Sequence, residues 1–148
     1  MTVIQRAKSS YCYFLPISTR WMDNDAYGHV NNVIFYSWFD TVVNQFLIEH
    51  QALDVVQSEA IGLVIETQCN YFSPVSFPQK ICAGMRVAHL GNSSVRYEIG
   101  IFVEEQEMPS AQGHFVHVYV DRRDRKTMPI PATIRALLQN LYCKASHV

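Results

Sequence analysis

A long stretch without glycine or proline, residues 32–50, constrains the fold of this chain more than any other feature. Its apolar side chains recur at helical spacing, which predicts an α-helix. They include Phe35, Phe39, Val42 and Phe46. Because few polar residues interrupt them, apolar surface covers much of the helix circumference. Such a helix is expected to be enclosed by other structure and not to lie on a surface.

The segments that follow the helix have the period of β-strands. They are rich in β-branched and aromatic residues and are bounded by Pro, Gly, Asn or Ser, which predicts four strands. They span residues 61–75, 79–91, 93–105 and 110–122. A first strand is predicted before the helix, at residues 9–19, and a final helix after Pro131. The short links between the last four strands predict an antiparallel meander, and its pairing with one long buried helix indicates a sheet curled around that helix.

Length and composition predict one globular domain that spans residues 1–148. Apolar residues make up 49% of the chain and charged residues 17%, which argues against disorder. The formal net charge of -1 argues against nucleic acid as a partner. No apolar run reaches the roughly 18 residues of a membrane span, and no signal peptide is evident, so a cytoplasmic location is expected. The four cysteines contain no C-x-x-C pair and are expected to be reduced thiols.

The stretch "RWMDNDAYGHVNN", residues 20–32, has the residue types of a chemical site. A calcium loop that starts at Asp23 would need a glutamate where Ile34 stands, so that interpretation fails. A transition-metal site at Asp23, Asp25 and His29 would need further ligands that no nearby residue offers. Acid–base chemistry remains, because Asp25 stands just before the helix, whose first N–H groups have no internal partner and could stabilise an oxyanion. Helix capping or turn formation is the structural alternative for both aspartates.

Four runs of sequence together carry a resemblance to a known family. They are "TRWMDNDAYGHVNNVIFYSWFD", "LGNSSVRYEI", "AQGHFVHVYVD" and "PIPATIRALL". The chain resembles the hotdog-fold acyl-CoA thioesterases of the 4-hydroxybenzoyl-CoA thioesterase type over nearly its whole length, from Tyr13 to Leu141. The resemblance implies an α+β hotdog fold, in which a five-stranded antiparallel sheet curls around a long central helix. It also implies hydrolysis of acyl-CoA thioesters to a free acid and CoA, with no metal or organic cofactor.

The resemblance also implies roles for residues of the motif. Asp25 matches the catalytic acid, which acts as a general base or as a nucleophile. The backbone amide near Asn32, in the first helical turn, would polarise the thioester carbonyl. His29 could orient water, although a structural role is equally compatible with its position. Asp23 is expected to hydrogen-bond loop amides. Asp40, within the helix, is expected to bind a neighbouring polar group or to make a dimer contact.

Substrate contacts are implied at two further places. Tyr36 and Thr67 are the residues expected nearest to the acyl group, and the hydroxyl groups of Ser93 and Ser94 are expected to contact CoA. Relatives carry a basic residue where this chain has Asn92, so phosphate-binding charge would have to come from elsewhere in the chain or from a neighbouring subunit. The acyl group itself is not readable from the sequence.

Self-association as a homodimer or a dimer of dimers is expected, because the edge of a curled sheet is usually covered by pairing. In the family the active site lies at the subunit interface. Two alternative functions remain open. One is a hotdog hydratase or dehydratase that acts on enoyl thioesters through Asp25 and His29. The other is a non-catalytic protein that binds acyl thioesters.

Overall fold

The computed structural model describes residues 3–142, and its elements follow the predicted order. Short 3₁₀ turns at Lys8–Ser10 and Trp21–Asp23 supplement five strands and two helices. These are β1 (Tyr13–Ser18), α1 (Asn32–Glu49), β2 (Ala60–Tyr71), β3 (Lys80–Leu90), β4 (Ser94–Val103), β5 (Ala111–Asp121) and α2 (Ala132–Gln139). The order β, α, β, β, β, β, α is thereby confirmed.

The strands form one antiparallel sheet in the order β1-β3-β4-β5-β2. The predicted meander is correct for β3, β4 and β5 but wrong for β2, which pairs with β5 at the far edge. The link of residues 72–79 explains the difference, because it can reach up to about 27 Å when extended, whereas crossing two strands needs about 14 Å. A link of that length does not force its two strands to be neighbours.

The inner face of the sheet packs against α1. Met85, Ile99 and Gly113 are paired in register across three strands, and the Phe39 ring lies over Gly113, where a Cβ would be 2.7 Å from its Cε2 atom. Phe39, Val42 and Val43 are fully buried. The packing of the long helix against the sheet confirms the hotdog fold class. The prediction of an enclosed helix is wrong for this chain, because Ser37, Asp40 and Thr41 on its opposite face are exposed.

The two histidines of β5 point to opposite faces of the sheet, as their spacing of three residues predicts. His117 pairs with Val95 on the inner face, whereas His114 pairs with Glu98 on the outer face. Burial lowers the pKa of His117 to about 4, so this side chain is neutral near pH 7. His114 belongs to a charged cluster described below.

The cysteines depart in part from expectation. Cys69 and Cys82 are free thiols, as predicted. Cys12 is disulfide-bonded, so the prediction of reduced thiols is wrong for this residue. Cys143 lies outside the described residues. The helix predicted after Pro131 is shorter than its pattern indicated, because α2 ends at Gln139. Within residues 3–142, none of the helices has the length and apolar character needed to cross a membrane.

Candidate active site

Asp23 anchors the loop that leads into α1. Its side chain is buried, and its carboxylate accepts the Arg20 backbone N–H at 2.8 Å. The other carboxylate oxygen accepts the Arg20 guanidinium at 3.0 and 2.8 Å. The expectation that Asp23 binds loop groups is confirmed, and because its carboxylate is buried and both of its oxygens are bound, Asp23 is poorly placed to meet a substrate.

Asp25 lies in a tight turn that ends at His29. The Asp25 N–H donates to the His29 carbonyl at 2.8 Å, and the Gly28 N–H donates to the Asp25 carbonyl at 3.1 Å. Gly28 has a φ of 82°, a left-handed conformation that glycine adopts without strain. The Asp25 Oδ1 atom accepts the Tyr27 N–H at 2.8 Å, whereas Oδ2 has no hydrogen-bond partner among residues 3–142. The turn therefore holds the carboxylate in place and leaves one oxygen available to a water molecule.

The start of α1 leaves one backbone donor available beside this turn. The Asn31 side chain caps the helix by accepting the Val33 N–H at 3.1 Å. The Asn31 backbone carbonyl accepts the Ile34 N–H at 2.9 Å. The Asn31 N–H is itself bound to the Asp23 carbonyl at 2.8 Å. The Asn32 N–H has no acceptor in the described part of the chain. An unpaired N–H at a helix N-terminus is a donor for an anionic oxygen.

A depression of about 330 Å³ opens beside this helix start. His29, Asn32, Phe35 and Tyr71 contribute to its lining, and the segment of residues 72–75 completes it. His29 is exposed, and its ring makes no hydrogen bond to the described residues. Asp25 lies outside the lining but belongs to the same turn as His29. His29 and Asn32 therefore line one depression, and the turn connects Asp25 to His29 through a backbone hydrogen bond.

Tyr71 is a residue of this depression that the sequence did not reveal. Its hydroxyl donates to the Asn32 carbonyl at 2.8 Å, and its ring meets the Phe35 ring edge-on at 5.1 Å. Burial is the main cause that raises the pKa of Tyr71 above its usual value, so the phenol keeps its proton at neutral pH. A tyrosine at the end of a strand has no sequence signature, and only the pairing of β2 with the far edge places it here.

The link of residues 72–79 braces the loop before α1. The Val75 carbonyl accepts the Val30 N–H at 2.7 Å, and the Asn24 side-chain oxygen accepts the Phe77 N–H at 3.1 Å. The Phe77 ring also meets the Trp21 ring edge-on at 6.0 Å. These contacts tie the aspartate-bearing loop to the sheet, so Asp25 is held from both sides.

The residues predicted to bind substrate do not all lie together. Tyr36 lies on α1 with its ring against Phe39, and its side chain interacts with Tyr71 of the depression. The Thr67 hydroxyl on β2 donates to the His114 carbonyl at 3.0 Å. Ser93 and Ser94 lie at the other end of the sheet. Ser94 pairs with Val118, seven residues along β5 from the Ala111 that pairs with Tyr71, which corresponds to about 24 Å along the strand. One chain by itself does not bring the two serines to the Asp25 turn.

The structure also bears on two other predictions, the role of Asp40 and the possibility of a metal site. Asp40 accepts the Asn44 side-chain amide at 2.9 Å on the exposed face of α1, so its expected polar partner is confirmed. Between residues 3 and 142, no group of three or more His, Cys, Asp and Glu side chains is arranged to hold a metal ion. The Asp25 turn thus contains acid–base groups without a set of metal ligands around them.

Comparison with known proteins agrees with this geometry. The family model of the thioesterase-like superfamily matches residues 19–138. The solved structure of the PA5185 protein from Pseudomonas aeruginosa strain PAO1 is 51% identical, with a TM-score of 0.93, covering 97% of this chain and 100% of that one. The PA2801 protein from Pseudomonas aeruginosa is 26% identical, with a TM-score of 0.77, covering 84% of this chain and 95% of that one. The uncharacterized protein YsmA of Bacillus subtilis (strain 168) is 26% identical over 125 residues, 84% of this chain and 83% of that protein.

Proposed function

The chain belongs to the thioesterase-like superfamily, and from that premise we propose that it hydrolyses acyl-CoA thioesters to a free acid and CoA. The observation that carries the proposal is the pairing of a positioned carboxylate with an unpaired helix amide. One Asp25 oxygen has no hydrogen-bond partner among the described residues, and the Asn32 N–H, at the helix start that follows the turn, lacks an acceptor there as well. Thioester hydrolysis needs these two elements, a base or nucleophile and a donor for the oxyanion.

The proposed reaction begins when the thioester carbonyl accepts the Asn32 N–H. Acting as a base, Asp25 removes a proton from water, and the hydroxide adds to the carbonyl carbon. The tetrahedral oxyanion collapses, the carbon–sulfur bond breaks, and CoA leaves as a thiolate that recovers the proton. Acting as a nucleophile, Asp25 would bond to the carbonyl carbon and expel the thiolate, and water would then hydrolyse the mixed anhydride. Because a thiolate is a stable anion near neutral pH, neither route needs a strong general acid.

The depression beside Asn32 is the proposed position of the thioester group. His29 at its rim is proposed to orient water. The hydroxyl of Tyr71 binds the Asn32 carbonyl, in the peptide that follows the one carrying the Asn32 N–H, and is proposed to align the helix start. Tyr36 and Thr67 remain the proposed neighbours of the acyl group, and Ser93 and Ser94 remain proposed contacts for CoA.

A second copy of the chain is proposed to complete this site. β2 is an edge strand with exposed apolar side chains at Val64 and Ile65. The loop before α1 also exposes Trp21, Met22 and Tyr27, which are 74% or more accessible. Antiparallel pairing of two β2 edges would place the Ser93 end of one chain near the Asp25 end of the other. Such pairing supplies the contacts that one chain lacks.

Substitution of Ile65 by lysine is expected to weaken this assembly, because a charged side chain on an edge strand disfavours pairing with another strand. The apparent mass in sedimentation velocity should fall to that of one chain, and thiol release should fall with it. Val56→Lys is the matched control, since Val56 is also exposed but lies outside the sheet. A monomeric Ile65→Lys protein with full activity would contradict the proposed interface site.

The proposed function is tested by measuring free thiol released from short-chain, long-chain, aromatic and hydroxylated acyl-CoAs by the purified protein. Hydrolysis predicts stoichiometric release of CoA thiol from at least one of them. Hydration of an enoyl thioester would instead change the absorbance of the conjugated bond without releasing thiol. A binding protein would retain acyl-CoA and change neither signal. Either of the last two results would overturn the hydrolase proposal.

A further inference from the structure

The outer face of the sheet, opposite α1, contains a cavity of about 290 Å³ that the reaction above does not use. The segment of residues 3–10 crosses this face and forms one wall. The Gln112 side chain holds that segment at two points, accepting the Arg6 N–H at 2.7 Å and donating to the Ile4 carbonyl at 2.7 Å. We name this space the outer-face cavity; its polar lining includes Arg6, Gln68, Asn70, Arg96, Glu98 and His114.

Charged side chains are enclosed on this face in unusual number. Arg86, Glu98 and His114 share the outer face by strand register, and the exposed fractions of their side chains are 7%, 18% and 12%. Arg6 and Arg86 both approach the same oxygen of Glu98, at 3.4 and 3.5 Å. Buried charges are costly unless they are paired and hydrogen-bonded. The face therefore has to satisfy several guanidinium groups with few carboxylates.

The carboxylates present do not satisfy the arginines. The Arg86 Nε and Glu98 Oε1 atoms are buried, and neither has a hydrogen-bond partner in residues 3–142. The only hydrogen bond from the Arg96 side chain to a described residue goes to His114 Nδ1, at 3.1 Å. Each guanidinium carries five N–H donors and no acceptor. Donors around the cavity thus outnumber the acceptors that the described chain supplies.

The His114 ring offers the arginines no further acceptor, because its one acceptor nitrogen already binds Arg96. Arg96 can only donate, so His114 Nδ1 accepts, and the ring proton lies on Nε2, which donates to Glu66 at 2.9 Å. Glu66 is thereby occupied by the histidine and does not reach Arg96. Arg6 and Arg96 line the cavity together with one carboxylate, Glu98, so its described lining has a positive excess.

We propose that the outer-face cavity binds a small oxyanion, a phosphate or carboxylate group, between Arg96 and Arg6. The planar guanidinium fork matches the oxygens of either group and forms charge-assisted hydrogen bonds with them. The volume exceeds the roughly 30 Å³ share of one water molecule several-fold, and it lies at the lower limit of ligand pockets, which favours a small ligand. The site is separated from the Asp25 turn by the sheet, because its residues lie on the face opposite α1.

The test is isothermal titration of the purified protein with inorganic phosphate and, separately, with acetate at constant ionic strength. Wild type is expected to bind at least one of them, and the better ligand identifies the group that the cavity selects. Arg96→Gln is expected to weaken binding at least about tenfold, the loss expected when a charge-assisted hydrogen bond is removed. Arg123→Gln is the matched control, since the Arg123 side chain is 90% exposed and lies outside the cavity. It should leave the affinity unchanged.

Arg6→Gln provides a second variant if Arg96→Gln does not fold, because the Arg6 side chain is 32% exposed and its backbone N–H still binds Gln112. Equal affinity in wild type and the folded variants would overturn the proposal. So would the absence of binding up to about 50 mM of either anion at constant ionic strength. If Arg96→Gln instead dissociates an assembly while neither anion binds, the face is an interface between copies and the proposal is wrong. These titrations contain no thioester, so their outcome is independent of the proposed hydrolysis.

Discussion

Replacement of Asp25 by asparagine is expected to lower kcat/KM for thioester hydrolysis by about 10²- to 10⁴-fold, the range for a positioned general base. An amide can neither take the proton from water nor form an anhydride, so the loss is expected by either proposed route. The turn should survive, because the asparagine oxygen can still accept the Tyr27 N–H that Asp25 accepts at 2.8 Å. Thiol release by wild type and variant, with folding checked by circular dichroism, measures the effect.

Asp40→Asn is the matched control for this experiment. Asp40 is the same residue type on the adjoining helix, and its carboxylate only accepts the Asn44 amide at 2.9 Å. It should retain wild-type kcat/KM within about twofold, as expected for an exposed residue outside the site. If Asp25→Asn loses less than about tenfold while Asp40→Asn loses more, the base or nucleophile has been assigned to the wrong residue. Similar losses in both variants would point to a general effect of charge.

Phe39→Ala is expected to lower the free energy of unfolding by about 3–5 kcal/mol, the range for removing a buried aromatic ring. Phe39 is fully buried, and its ring packs closely on the backbone at Gly113. The backbone at Gly113 cannot move inward to close the gap, since it is paired in register with Ile99 and Cys69. A cavity should therefore remain, and urea denaturation monitored by fluorescence measures the loss.

The control on the same helix is Val33→Ala, because Val33 is 59% exposed and its removal leaves no cavity. Its free energy of unfolding should change by no more than about 0.5 kcal/mol, as is usual for a surface substitution. A loss below about 1.5 kcal/mol in Phe39→Ala would mean that the helix and sheet repack around the missing ring. In that case the position of the helix start would depend less on this contact than the structure indicates.

Local features of the site were predictable because they depend on neighbouring residues. The pattern of residues 20–32 identified Asp25, His29 and Asn32, which the fold places around one turn and one helix start. The capping role of Asn31 was also a local matter, since its side chain reaches only two residues ahead. Tyr71 could not be found in this way, because it is 39 residues from the Asn32 carbonyl that its hydroxyl contacts.

The outer-face cluster illustrates the same limit for charged residues. Arg96 and His114 are 18 residues apart, and Glu66 is 48 residues from His114. In the sequence nothing links these three residues, which belong to three different strands. Only strand register places them side by side on the outer face, and register depends on contacts summed over whole strands.

The sequence by itself determined the elements of this protein, the apolar side chains that α1 buries and the residues of the Asp25 turn, since periodicity and capping act over a few residues. It also carried the resemblance that the family comparison confirmed. The tertiary structure decided that β2 crosses to the far edge, that Tyr71 reaches the helix start, and that the arginines meet on the outer face. The reason is physical: a link of residues 72–79 is long enough for more than one strand order, and the burial of apolar side chains over the whole sheet selects among them.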